Sequence, residues 1–118
     1  MLKRVTNEQA VACIAKLEEF RNNGSSNQPS FYAVRVSTSK VLNTGWLEGA
    51  EREAMLDAME AGDVNYVVYS YQTPIAYVAR GELVLIEQKF SPTTTKHQSF
   101  VRRGAEVRAH YSKMNPTR

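Results

Sequence analysis

The sequence predicts one α+β domain over residues 1–118, with a small, mostly antiparallel sheet of about four strands and helices packed on one face. The predicted order is α-β-α-β-β-β-α. Three observations carry this reading. Apolar residues recur at helical spacing in three segments. Short runs rich in Val, Tyr and Ile lie between them. Gly- or Asn-containing breaks separate these segments.

The elements follow in order. Thr6 and Gln9 form a capping box, and Ala10, Cys13, Ile14, Leu17 and Phe20 then keep helical spacing, so a first helix is expected over about residues 7–21. The polar segment from Asn22 to Pro29 ends it as a flexible loop. Phe31 to Val36 is aromatic and β-branched and predicts a strand. A polar connection from Ser37 to Gly45 leads to Trp46. Glu48 to Glu60 predicts a second helix, with Met55, Leu56 and Met59 as a narrow apolar stripe beside Ala58. Ala61-Gly62-Asp63 stops it.

Three strands are then expected, at Tyr66–Tyr71, Thr73–Ala79 and Leu83–Gln88. Arg80-Gly81 suits a tight hairpin, because glycine tolerates positive φ. The run Leu83-Val84-Leu85-Ile86 is apolar on both faces, which predicts a central strand. A third helix should begin near Thr95, where Thr95 and Gln98 would form a capping box. Phe100, Gly104, Val107 and Tyr111 fall on one side of it, with Val101 and Ala105 alongside. Lys96, Arg103 and His110 fall opposite, joined by Arg102, Glu106 and Lys113. Gly104 on the apolar side predicts a close approach to the sheet, at a propensity cost of about 1 kcal/mol against alanine.

Composition is that of an ordinary soluble domain: 42% apolar and 23% charged residues, with no apolar run long enough to span a membrane. The basic start, Lys3-Arg4, has no hydrophobic stretch behind it and does not predict a secretory signal. One cysteine, Cys13, excludes an internal disulfide framework and fits a reducing compartment, so a cytoplasmic location is expected. Charge is unevenly spread. From Lys89 onward seven basic residues face one acid, Glu106, whereas the rest of the chain is net negative. This asymmetry points to an anionic partner for the C-terminal part, and a solvated helix face accounts for it as well.

The strongest candidate site is Pro92-Thr93-Thr94-Thr95-Lys96-His97. Free N–H groups at a helix start attract anions, and Thr94, Thr95, Lys96 and His97 would add donors around a phosphate or nucleotide. Helix capping explains the same threonines. The segment lacks the glycine-rich cradle of a P-loop. Along the helix, Lys96, Arg102, Arg103 and Lys113 could track a nucleic-acid backbone. Tyr69 and Tyr71 alternate onto one strand face and could stack on bases if that face were open, half-buried strand packing being the ordinary use of tyrosine.

No metal, cofactor or catalytic signature is legible. His97 and His110 sit more than three helical turns apart and cannot share a metal. His97 could serve as a general base, yet no second acid, base or nucleophile pairs with it by spacing. Cys13, on an apolar helical face, predicts a small core residue rather than a nucleophile.

Two motifs about twenty residues apart stand out: Ser70-Tyr71-Gln72-Thr73-Pro74-Ile75-Ala76 and Ser91-Pro92-Thr93-Thr94-Thr95-Lys96-His97-Gln98. In them the chain resembles a family of small uncharacterised proteins encoded largely by bacteriophages. That family carries Ser-Tyr-x-Thr-Pro-Ile-Ala, then a short hairpin, then Tyr-Ser-x-Thr-Thr-x-Lys-His-Gln. Phe90 stands where the family often has tyrosine, and Pro92 occupies a variable position. The resemblance spans roughly residues 64–101. It implies a phage context and marks a site, without assigning a reaction. The expectation is a small accessory protein that binds a host or phage macromolecule in the host cytoplasm, without catalysis. Nucleic-acid binding through the C-terminal helix and nucleotide binding at its start are the alternatives.

Overall fold

The computed structural model describes residues 3–22, 29–36 and 43–114, the last four by backbone alone. Six strands form one mixed sheet: β1 (Arg4–Val5), β2 (Phe20–Asn22), β3 (Phe31–Arg35), β4 (Val64–Ser70), β5 (Thr73–Ala79) and β6 (Glu82–Leu85), in the spatial order of the chain. β1 and β2 are parallel and every other neighbouring pair is antiparallel. Three helices are present among the described residues: α1 (Asn7–Ala15), α2 (Gly49–Glu60) and α3 (Pro92–Met114). The α+β class holds, with two short strands beyond the expected four. The predicted loop at residues 23–28 and most of the connection before Gly45 lie outside the described residues.

The first helix is shorter than its periodicity predicts. Thr6 and Gln9 form the capping box, but α1 stops at Ala15. Glu18 N–H then reaches the Cys13 carbonyl and Leu17 N–H the Ile14 carbonyl, the paired bonds of a Schellman motif. Leu17 takes the left-handed conformation, φ 56°, that glycine usually fills there. The chain is thereby freed to place Phe20 in β2 opposite Ala33, fully buried and edge-on to Phe31 at 5.2 Å.

Helices cover both faces of the sheet, not one. Against one face, α1 and α3 bury Ala10, Ile14, Phe100 and Val101 over Phe20, Phe31, Val68 and Val78. Against the other, α2 contributes Met55 to a second cluster with Val64, Val67, Tyr69 and Tyr77. Two-sided cover also explains why the Leu83–Ile86 run misled. β6 is an edge strand, yet Leu83 and Leu85 pack on the first cluster and Val84 on the second. An edge strand covered on both faces has the same apolar pattern as a central one.

The two tight turns differ. Arg80 and Gly81, both at positive φ, make the predicted β5–β6 hairpin. Ser70 pairs with Thr73 across a two-residue turn of Tyr71 and Gln72, and there only Tyr71 is left-handed, φ 59°. Pro74 is accommodated because the β4–β5 register slips beside it, leaving Ile75 as an extra residue.

Helix α3 begins at Pro92, three residues before the predicted start. Ser91 is its cap, with its hydroxyl accepting from the Thr94 N–H, and Pro92 takes the first helical position where no N–H is needed. The Thr95–Gln98 capping box does not form. The Gln98 side chain instead donates to the carbonyls of Ile86 and Gln88 and ties the helix to the strand exit. Gly104 allows a close approach, but to α1 rather than to the sheet: a Cβ there would lie 2.8 Å from Ile14 Cγ2.

Candidate functional site

The first two turns of α3 divide by direction. Thr94 and His97, three residues apart, face inward and are buried, whereas Thr95 and Lys96 between them face solvent. The four candidate ligand residues therefore do not converge on one point. What the inward pair meets comes from β4. Ser70 Oγ lies 2.9 Å from Thr94 Oγ1 and 2.8 Å from His97 Nδ1. Ser91 Oγ donates to Thr94 Oγ1 at 3.2 Å. Ser91, Thr94, Ser70 and His97 thus form one continuous hydrogen-bonded chain, in which either Ser70 or Thr94 can donate to the other and the His97 tautomer sets the role of Nδ1.

The imidazole is 2% exposed and lies parallel to the Phe31 ring at 4.6 Å. Phe31 and Ser70 are cross-strand partners, so one pair supplies both the stacking surface and the hydrogen bond. Burial, helped by the nearby Lys96 charge, pushes the His97 pKa down to about 4. At neutral pH His97 is uncharged and sealed in the fold, and its Nδ1 partner is a hydroxyl rather than the carboxylate of a triad. Its Ser70 partner is equally enclosed, at 1% exposure. This cluster positions the helix start over the paired ends of β3 and β4, inside the sheet. Anion capture there is limited further because Thr94 and Thr95 N–H groups already bond to Ser91, and Pro92 has none.

The basic helix face is also partly occupied. Arg103 makes a forked pair with Glu8 at 3.0 and 3.3 Å, Arg102 pairs with Glu87 at 3.1 Å, and Arg108 donates to the Ala15 carbonyl. Lys96 is exposed, and the Lys113 side chain lies outside the described residues. Tyr69 and Tyr71 do not share an open face. Tyr69 is buried and stacked on Tyr32 at 5.0 Å, while Tyr71 sits in the turn.

The exposed aromatic feature lies beside that turn and was missed by spacing rules. Trp46 is 79% exposed and Tyr71 51% exposed, the two most exposed aromatic rings among the described residues. Trp46 is nevertheless held firmly by its backbone. Its N–H donates to Thr73 Oγ1 at 3.1 Å and its carbonyl accepts from Gln88 Nε2 at 3.1 Å. Gly45 makes this possible: at φ 52° it presses on the turn so closely that a Cβ would stand 2.7 Å from the Gln72 carbonyl oxygen. Tyr71 N–H is fixed in turn by the Ser30 carbonyl at 2.8 Å.

Two adjoining clefts share Trp46, Tyr71 and Thr73. The larger, about 350 Å³, adds Phe90 and the hydroxyl residues Ser70, Ser91 and Thr94. The smaller, about 230 Å³, adds Pro29 and Gln72. Among the described residues neither is lined by a charged side chain. A lone tryptophan directly after a glycine in a polar stretch was the available signal for this surface. Among the described residues no cluster of three or more His, Cys, Asp or Glu could hold a metal ion, and no helix is long and apolar enough to cross a membrane.

A family model described as "Family of unknown function (DUF8033)" matches residues 21–114. The chain belongs to this family. The match takes in β2 through α3 and with them Trp46, the β4–β5 turn and the buried histidine, leaving β1 and α1 outside. No curated protein and no solved structure matches the chain.

Proposed function

We propose that this member of the DUF8033 family is a small accessory protein that acts without catalysis, by binding a host or phage macromolecule in the cytoplasm of an infected cell. The observation that carries the binding reading is Trp46, an indole left in solvent although both backbone hydrogen-bonding groups of its residue are tied down. Rigid exposed aromatics supply large contact area at little entropic cost, which is why tryptophan and tyrosine dominate binding hot spots. The neighbouring Tyr71 holds a strained backbone conformation, a feature that concentrates at functional sites. The phage context rests on the resemblance of the Ser70–Ala76 and Ser91–Gln98 motifs.

The test compares immobilised wild-type protein with a Trp46→Ala/Tyr71→Gly variant as baits in bacterial lysate. A partner enriched by the wild type and lost from the variant supports the reading. Equal capture by both, or capture of nothing, removes it.

The two alternative readings draw less from the geometry. Binding of nucleic acid along α3 would have to displace Glu8 and Glu87 from Arg103 and Arg102. It demands an affinity that falls steeply with salt. A nucleotide at the helix start would meet Thr95 and Lys96 but not the buried Thr94 and His97.

A further inference from the structure

We infer that the paired clefts around Trp46 and Tyr71 take an uncharged, proline-rich segment in the extended polyproline conformation. This inference rests on the binding reading above and names the chemistry of the ligand.

Complementarity carries it. The clefts offer aromatic surface from Trp46, Tyr71 and Phe90, together with the Tyr71 hydroxyl and the Trp46 indole as exposed donors, and no charged lining side chain among the described residues. A nucleic-acid strand needs basic groups along its phosphates as well as rings for its bases. An acidic or basic peptide motif needs an opposite charge. A polyproline segment needs neither. Its prolines lack N–H groups, its carbonyls are unpaired acceptors, and its pyrrolidine rings are apolar. The indole N–H of Trp46 and the hydroxyl of Tyr71 belong to exposed rings, so both can donate to such carbonyls.

Shape agrees. Clefts of about 230 and 350 Å³ that share Trp46 and Tyr71 form two neighbouring recesses. A polyproline helix repeats every three residues, so one face presents rings at regular intervals of roughly 9 Å. Shallow recesses suffice for such a ligand because it is ordered before it binds and loses little entropy. The receptor is ordered too: Gly45, Thr73 and Gln88 hold Trp46, and Ser30 holds Tyr71.

Trp46 is the one tryptophan of the chain, so its emission reports on this surface alone. The full chain is titrated with three probes: a decaproline peptide, a Gly-Ser peptide of equal length, and a dT10 oligonucleotide. A saturable blue shift with decaproline alone, weakened about tenfold or more by Tyr71→Gly, is the expected result. An equal response to the Gly-Ser peptide, a response to dT10 only, or indifference to Tyr71→Gly would overturn the inference. The two proposals fail separately. A lysate partner lost with the Trp46→Ala/Tyr71→Gly variant while decaproline leaves the emission unchanged removes the ligand class and keeps the binding face. Capture that ignores the double substitution, with emission also unchanged, removes both.

Discussion

Ser70 and His97, twenty-seven residues apart in the chain, share a 2.8 Å hydrogen bond inside the fold, with the imidazole stacked on Phe31. The bond joins the end of β4 to the second turn of α3 and fixes how the helix sits on the sheet. Its consequences for pH and for stability are direct.

Acid should weaken the fold through His97. Its pKa falls from an ordinary 6.5 to about 4 on folding, so between these values the unfolded chain binds a proton that the native chain refuses. The stabilisation is complete above about pH 6.5 and is lost progressively as pH falls toward 4, reaching roughly 3 kcal/mol. Denaturant midpoints measured from pH 4 to 8 check this. His97→Gln, which retains a polar contact for Ser70, should flatten the profile in that window, and an unchanged slope would remove the assignment to His97.

Ser70→Ala should cost more than Thr94→Val. The first leaves the buried Nδ1 without its partner, a loss of about 1–3 kcal/mol. The second breaks the chain one hydroxyl further out and keeps the Ser70–His97 bond. Urea unfolding of both variants gives the comparison, and the reverse order would refute the central place of Ser70 in the hydrogen-bond chain.

At position 71, glycine should be more stable than alanine by about 1 kcal/mol, because only glycine relieves the left-handed strain at φ 59°. Both substitutions remove the half-exposed ring equally. Thermal midpoints separate the backbone effect from the ring. If Tyr71→Gly keeps or gains stability but abolishes ligand binding, the ring at this position serves the binding surface rather than the fold.

Gly104→Ala should destabilise the protein despite the higher helix propensity of alanine. The new Cβ would meet Ile14 Cβ at 2.9 Å and the Val11 carbonyl oxygen at 3.2 Å, so α1 and α3 must separate. Overpacking of this kind costs about 1–3 kcal/mol, more than the roughly 1 kcal/mol gained in propensity. Adding Ile14→Ala should make Gly104→Ala less costly in that background. Additive effects of the two substitutions would argue against the contact.

Much of the architecture was legible along the chain. The α1 capping box, the Arg80-Gly81 hairpin, α2 and the strands β3 to β5 depend on neighbours within a few residues, and such short-range preferences are written locally. Cys13 as a core residue followed from helical spacing alone. The end of α1 was hidden because Leu17 stands where a Schellman turn usually shows glycine. β2 was hidden for a related reason: Phe20 continues the helical apolar rhythm, and only its burial beside Phe31 and Ala33 makes it a strand residue.

The candidate site divides along the same line. Residue order determined that a hydroxyl-rich segment would open a basic helix, and it grouped Thr94, Thr95, Lys96 and His97 as one expected ligand set. Tertiary structure alone decided which side is buried, because Ser70 and Phe31 reach that turn from strands far away in sequence. It likewise left Trp46 outside, pinned by Thr73 and Gln88 across separations of 27 and 42 residues. Contacts of that range depend on how the sheet and helices close on one another, and no local periodicity encodes them.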